Sequence, residues 1–480
     1  MAAKDFIVAI ELGSSKMTGI AGKKNLDGSI NVLAVVKEDS SSFIHKGVVY
    51  NIDKTAQSIK NIVSKLAHIL QTQITQVYVG VGGQSIRSIR NVITKNLSTD
   101  TKVTQDMVIE LMDANRNMSY SDQEILDAAV QEYKVDNQLQ LDPVGVQCRK
   151  LEGNFLNILQ RKTFYNNLNK CFQAANINIA EMYLAPLALA DSVLSEAEKR
   201  SGCALIDLGS DTTTVSVYSK NILRHLSVVP LGSNNITKDI ASLQMEEAEA
   251  EKMKLKYGCA YTENSEIDNT LMLPIDAERK VESRKFIEIV ESRLEEIIEN
   301  AWCQIPSEYY DKLLGGIILT GGGSNMKNIE TAFINHTHIE KIRIAKFVTP
   351  VVNSTSPDVN AKNGMMNTVL GLLYKGDVSC SGEELEDGLF ANQPATTTPE
   401  TRTKARQVNQ IPVGVVRTEA EKQQAEEEQR KKREEDERLA REQAEEEARL
   451  AEQKKKDGGL LRKFFGGLKK FGENMIKEEE

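Results

Sequence analysis

The 480-residue sequence predicts an α/β protein of two related lobes, with an inserted subdomain and a long polar C-terminal extension. Three observations carry this. A strand–turn–strand pattern occurs twice, about 196 residues apart, as Ile10-Glu11-Leu12-Gly13-Ser14 and Ile206-Asp207-Leu208-Gly209-Ser210. A repeat of this kind signals duplicated structural units. Gly315-Gly-Ile-Ile-Leu-Thr-Gly-Gly-Gly-Ser324 is a β-run that ends in three glycines and enters a predicted helix at Asn325–Ile334. Composition then breaks near residue 375, where alternating strand and helix patterns give way to polar sequence.

The elements follow in chain order. Phe6–Leu12 and Lys16–Ala21 read as strands around the turn Gly13-Ser14-Ser15. Asp53–Leu70 has helical period after a capping start at Asn51 or Asp53. Gln76–Val81 is a strand ending at Gly82-Gly83. The next 80 residues leave the pattern and include Val103–Met118 and the strand-like Leu141–Lys150. Cys203–Leu208 and Thr212–Tyr218 repeat the first hairpin. Lys285–Trp302 is an amphipathic helix with Phe286, Ile289, Val290, Leu294, Ile297 and Ile298 on one side. Its other side carries Glu288, Glu291, Arg293, Glu295 and Glu296, the pattern of a surface helix packed on a core.

Residues 1–83 with 163–200 are the expected first lobe, 84–162 the insert and 201–375 the second lobe. Residues 376–416 are rich in Gly, Pro, Ser, Thr and Asn and read as a flexible linker. Residues 417–457 form a charged spacer. Of its first 40 positions, 12 are basic and 14 acidic, which suits a solvated helix or a disordered spacer. A coiled coil lacks apolar a and d positions here. The chain holds 60 Lys+Arg and 69 Asp+Glu, a net charge of -9, which argues against nucleic acid as a partner. Six scattered cysteines without a CxxC pair indicate neither zinc nor a disulfide framework, and fit a reducing compartment. Met1–Leu12 is too short and too charged for a signal peptide, and no run of about 20 apolar residues would span a bilayer.

Two acidic-x-Gly-Ser hairpins suit phosphate chemistry. Glycine lets backbone N–H groups approach a phosphate without a Cβ in the way. Ser14, Ser15 and Ser210 add hydroxyl donors, and Lys16 adds a positive charge. Glu11 and Asp207 sit at strand ends, where two carboxylates suffice for a hydrated Mg²⁺. A single copy would read as an ordinary turn; the pair and the glycine strand together point to a nucleotide. No P-loop and no GxGxxG occurs.

The terminal segment 458–480 is legible from physics alone. At 100° per residue, Leu460, Leu461, Phe464, Phe465, Leu468, Phe471, Met475 and Ile476 fall within about a 160° arc. Arg462, Lys463, Lys469, Lys470 and Lys477 occupy the other side. That is the pattern of a helix lying in an anionic membrane interface.

Hairpin one, hairpin two and the Leu-Thr-Gly-Gly-Gly strand, in this order, resemble the phosphate-1, phosphate-2 and adenosine motifs of the actin, sugar-kinase and chaperone ATPase superfamily. Leu184-Ala-Pro-Leu-Ala-Leu-Ala-Asp191-Ser-Val-Leu194 looks like its connecting helix. Within the superfamily the chain is most similar to the bacterial cell-division family FtsA, on Val229-Pro-Leu-Gly232, Ile236-Thr-Lys-Asp239-Ile240, Glu249–Gly258 and the amphipathic tail.

The resemblance implies an actin-like two-lobed ATPase fold that binds ATP and Mg²⁺. Phosphate contacts fall on Gly13, Ser14, Ser15, Lys16, Gly209, Ser210, Asp211 and Thr212. Glu11 and Asp207 become the metal-side carboxylates, and Asp191 a water-orienting residue. The adenosine side falls on Gly321, Gly322, Gly323 and Ser324, with Glu251, Lys254 and Gly258 on a base-binding helix; a solvated face is the alternative for Glu251 and Lys254. The family usually carries Asp where this chain has Glu11. A methylene shifts geometry by about 1 Å, which can cost about a hundredfold in rate, so hydrolysis is expected to be weak or absent. By the same resemblance the insert works between neighbouring subunits of a filament. Arg293 and Glu296 would contact the C-terminal peptide of the tubulin-like protein FtsZ. The protein would act at the division site, on the cytoplasmic face of the inner membrane. The alternatives are a small-molecule kinase, for which no substrate base is evident, and a pilus-assembly homologue, for which the tail is unexpected.

Overall fold

The computed structural model describes residues 5–381, 414–418, 421–422, 427, 430 and 438. The predicted membrane helix, from Leu460 to Phe471 and beyond, lies outside the described residues. The chain divides into Met1–Arg417 and Thr418–Glu480. In the second unit, Thr418 and Glu421 cap each other's backbone: Glu421 N donates to Thr418 Oγ1, and Thr418 N donates to Glu421 Oε2. The described spacer residues after this capping box are helical.

The first unit begins with the antiparallel strands β1 (Ile7–Leu12), β2 (Lys16–Lys24) and β3 (Ile30–Asp39). The small hairpin β4 (Ile44–His45) and β5 (Val48–Val49) precedes α1 (Ile52–Leu70) and β6 (Gln76–Val81). Asn51 caps α1 by accepting from Lys54 N, and Ile59, Ile62, Val63 and Leu66 form the helix's buried stripe. The insert comprises β7 (Arg87–Lys102), α2 (Gln105–Arg116), β8 (Gln123–Val135), β9 (Gln138–Gln140) and β10 (Gln147–Arg161). The chain continues through α3 (Lys162–Ala175), β11 (Asn178–Leu184), α4 (Ala185–Val193) and α5 (Glu196–Ser201).

The second lobe runs β12 (Cys203–Leu208), β13 (Thr213–Ser219), β14 (Ile222–Val229), α6 (Ser233–Ala241) and α7 (Glu247–Tyr257). The hairpin β15 (Met272–Pro274) and β16 (Lys280–Glu282) leads to α8 (Ser283–Gln304), then β17 (Gly316–Thr320), α9 (Ile329–Thr337) and β18 (Ile342–Ile344). Last come β19 (Val352–Asn353), α10 (Pro357–Asn360), α11 (Asn367–Lys375) and β20 (Val415–Val416).

The duplication is visible in the sheets. One contains the order β3-β2-β1-β6-β11 and the other β14-β13-β12-β17-β18. In each, the first three strands are antiparallel and the last two join in parallel. The insert adds β7-β10-β8-β9 to the free side of β14, joined through Ser227 and Arg87, so one sheet of nine strands crosses from second lobe to insert.

Several expected boundaries move. The second lobe ends before residue 375, because β19 pairs with β3 and α11 packs on α4 and β1. Helix α11 is nearly all buried, and Val369, Leu370, Leu372 and Leu373 complete the first lobe's core. The folded core also runs past the compositional break. Cys380 N donates to Phe6 O, and Val8 N donates to Cys380 Sγ at 3.1 Å. Val415 and Val416, placed in the linker by composition, form an edge strand on β11. Leu141–Val146 is loop, and the insert's last strand starts only at Gln147. The glycine strand enters a short 3₁₀ turn over Gly322–Asn325, and the α-helix begins four residues later than predicted, at Ile329.

The contacts of residues 376–381 stabilise the first lobe by about 2 kcal/mol or more, from one buried side chain and its hydrogen bonds. A chain ending at Lys375 should melt several degrees below one ending at Ser381, measured by calorimetry. Equal melting temperatures would show that these contacts add nothing.

Candidate functional site

The two hairpins are built alike. In each, an ideal Cβ on the turn glycine would strike the carbonyl of the residue three further on, at 2.6 Å for Gly13 with Lys16 and 2.8 Å for Gly209 with Thr212. Gly209 N also donates to Thr212 O. The second hairpin is held from below by the start of α6. Ser233 N donates to Gly209 O, and Asn234 N donates to Ser210 O. These bonds leave Ser210 and Asp211 at the tip of a fastened turn.

The hairpins bring Glu11 and Asp207 together at the C-terminal ends of β1 and β12. Burial pushes the Asp207 carboxyl up to about 6. Burial and the charge of Asp207 push Glu11 up to about 8, against the lowering effect of Lys37 and the Thr368 hydroxyl. For Glu11 burial is the larger cause and the neighbouring carboxylate the smaller, whereas for Asp207 burial alone acts. Behind them, Gly321 has φ +82°, and a Cβ there would lie 2.3 Å from Asp207 Oδ1. Only glycine lets the third motif close on the second at this point. The Ser324 hydroxyl turns back to Gly321 O at 2.7 Å and is buried, so it braces the turn. Gly322 and Gly323 form the exposed and half-buried part of that turn.

The lobes also touch across the cleft, where Lys46 N donates to Asp211 Oδ2 at 3.1 Å. Within the first lobe, Gly47 N donates to Ser14 Oγ at 2.7 Å and sets the Lys46 loop against the first turn. Asp211 Oδ1 accepts from Asn234. Ser15 and Lys16 are exposed at the first turn, and Thr212 is half-buried at the second. Lys46, Gly47 and Asn234 were not expected from the sequence. Asn234 sits two residues after the Val229–Gly232 stretch and could have been inferred from it; the Lys46 loop carries no motif.

Helix α7 is placed beside α6. Lys254 is 7 % exposed and donates to Ser233 O at 3.0 Å and Thr237 Oγ1 at 2.8 Å. Glu251 pairs with Lys254 at 2.7 Å and accepts from Thr237. The solvated-face alternative therefore fails for Lys254: its ammonium fastens α7 to the helix that holds the second hairpin. Gly258 ends α7 and its N–H donates to Lys254 O.

Asp191 does not join this group. It lies near the C-terminal end of α4, where its carboxylate pairs with Lys199 at 2.8 Å and with Lys375. Burial raises its pKa, but the two ammonium groups outweigh burial and hold it below the usual carboxylate range. Its charge acts on Tyr218, whose strand partner Cys203 is at the far end of β12 from Asp207. A water-orienting role does not suit that position. Arg293 makes a two-pronged contact with Asp239 of α6 and also pairs with Glu296. These two expected partner contacts form one charged cluster on the α6–α8 face.

A duplicated five-strand fold with a carboxylate from each copy facing one cleft defines a two-lobed, actin-like protein. A family model described as Cell division protein FtsA matches residues 204–371, and one described as SHS2 domain inserted in FTSA matches 83–159. The cell division protein FtsA of Porphyromonas gingivalis is 30% identical over 382 residues, covering 78% of this chain and 78% of that relative. That of Neisseria meningitidis serogroup B is 32% identical over 332 residues, covering 68% and 80%. A solved PilM-PilN type IV pilus biogenesis complex is 14% identical with a TM-score of 0.53, over 78% of this chain and 98% of that one; this likeness is of fold alone. The chain belongs to the FtsA family of cell-division proteins.

The carboxylate pair has a pH signature. Both folded pKa values exceed the ordinary carboxylate values, so the folded protein holds protons that the unfolded chain has lost. Stability without ligand should fall as pH rises from about 4.5 to 8. Glu11→Gln should flatten most of the fall above pH 6, read as melting temperature against pH. A variant profile parallel to that of the parent would remove Glu11 from the buried pair.

Proposed function

We propose that this chain binds ATP with Mg²⁺ between its lobes and assembles into filaments on the cytoplasmic face of the cell membrane. There it ties a ring of the tubulin-like protein FtsZ to the membrane and recruits later division proteins. The observation that carries the nucleotide reading is the pair of like-built hairpins that set Glu11 opposite Asp207 beneath two glycine-serine turns.

The carboxylate pair fits a hard divalent cation. Its donors are oxygen only, their mutual repulsion is relieved by a positive charge, and Gly321 keeps the space beside Asp207 Oδ1 free of a Cβ. Glu11 and Asp207 would hold the ion, mainly through its waters. A bound Mg²⁺ would neutralise phosphate charge. The chain's own parts do the rest. Backbone groups of Gly13–Lys16 and Gly209–Thr212 line the phosphates, and Gly321–Ser324 borders the adenosine. Glu251 and Lys254 act on the base side chiefly by fixing α7 against α6. Asp191 is committed to two lysines, which leaves it unsuited to orient water and fits the slow hydrolysis proposed from Glu11.

The membrane reading rests on the amphipathic pattern from Leu460 to Phe471 and its flanking lysines. One such helix binds weakly, and assembly of many copies raises avidity. The α6–α8 face offers the FtsZ peptide a charged platform around Arg293, Glu296 and Asp239.

Three measurements test these parts. ATP titration in Mg²⁺ should show at least a tenfold loss of affinity for Asp207→Ala; equal affinity removes Asp207 from the site. In flotation with anionic liposomes, the full chain should float and a chain ending at Lys456 should not. Equal behaviour of the two would discard the tail as anchor. The FtsZ C-terminal peptide should bind Arg293→Glu several-fold more weakly, and unchanged affinity would defeat the assignment of that face.

A further inference from the structure

The segment Gly414–Arg417, separated from Ser381 by 32 residues of sequence, docks on the folded body. Val415 and Val416 pair antiparallel with Tyr183 and Met182 of β11. Leu184 N donates to Gly414 O at 2.7 Å, and the Tyr165 hydroxyl donates to Arg417 O. Both valines are buried, at 6 % and 1 % exposure. Gly414 has φ +98°, a conformation that favours glycine, and its N–H donates to Asp127 Oδ2 at 2.7 Å. Asp127 is itself buried on β8 of the insert.

The position is unusual because of what it joins. β11 belongs to the first lobe's sheet, whereas β8 belongs to the nine-stranded sheet that continues from the second lobe into the insert. One short segment thus bonds to both sheets at once. It is also the last stretch of the first unit, immediately before the Thr418–Glu421 capping box. Two paired residues make a weak strand. Burying two valines is set against ordering the backbone around them, and the two contributions are of similar size. A contact so balanced is sensitive to small displacements of its two supports.

We propose that Gly414–Arg417 is a clasp across the two sheets, seated when the lobes are closed and released when they part, so that the root of the C-terminal segment senses the state of the cleft. Release would bare the edge of β11 and free the chain after Ser381. The span from the body to residue 457 would then grow from 40 residues to 76. Its upper limit grows from about 140 Å to about 265 Å at about 3.5 Å per residue. The proposal depends on a two-lobed cleft and not on the identity of its ligand.

Hydrogen exchange on the full-length chain, without nucleotide, tests it. In the parent, the amides of Gly414 and Leu184 should be protected. Asp211→Ala removes the bond to Lys46 N across the cleft and should speed exchange over 414–417 at least threefold. In the reverse direction, Val416→Ala should loosen the clasp and speed exchange at Lys46 and Gly47. Unchanged rates over 414–417 in a folded Asp211→Ala chain would overturn the coupling. If that variant fails to fold, unchanged rates at Lys46 and Gly47 in Val416→Ala overturn it instead. A separate titration with ATP and Mg²⁺ would fail only if the nucleotide reading is wrong, and leaves the exchange result standing.

Discussion

Two half-buried carboxyl groups that face each other in one cleft are the constraint on which this fold turns. Glu11 and Asp207 come from strands almost 200 residues apart, and each lies at the same place in its own copy of the fold. Left alone they oppose folding, since both are pushed toward their protonated forms. The surrounding structure accepts that cost and holds them in register. Gly321 closes behind Asp207, and the start of α6 fastens the second turn from beneath. Lys37 and Thr368 partly offset the charge on Glu11. On the nucleotide reading proposed above, a cation and phosphates would relieve the cost that the protein alone retains.

Lys254 shows how support reaches the cleft from a distance. Its buried ammonium bonds to Ser233 O and Thr237, one turn apart on α6. Ser233 N in turn holds Gly209 O. The path from α7 to the second hairpin's turn therefore runs through a lysine, a serine and a glycine, each joined by a hydrogen bond. Loss of the lysine would leave buried acceptors unmet and loosen the turn without any direct contact to a ligand.

Much of this architecture was legible in the sequence, and the reasons are specific. The paired Glu-Leu-Gly-Ser and Asp-Leu-Gly-Ser turns, the Asn51 cap and the apolar stripe from Phe286 to Ile298 are local patterns, so local reading finds them. Asp191 does lie on the expected helix, but its water-orienting role came from the family resemblance alone. Its partners Lys199 and Lys375 lie 8 and 184 residues away, and no local pattern joins all three. The return of α11 and of Cys380 to the first lobe was hidden for the same reason. Composition marks where sequence becomes polar, and it does not mark where the last buried residue falls. Val415 and Val416 are two apolar residues in a polar stretch, too few to register as a strand until β11 is seen beside them.

The same return of the chain has a consequence for synthesis on the ribosome. The first lobe begins at residue 7, yet its core is completed only by Val369, Leu372, Cys380, Val415 and Val416. Until those residues emerge, β1 and β6 lack the helix and terminal segment that cover them. The second lobe, whose core is drawn from residues 204 to 333, has no such debt to distant sequence. The later half of the chain can thus become compact while the earlier half still waits with apolar strands exposed. Long-range closure of this kind slows folding and lengthens the time in which those strands can pair wrongly. A nascent chain of this protein is therefore most in need of protection at its oldest end.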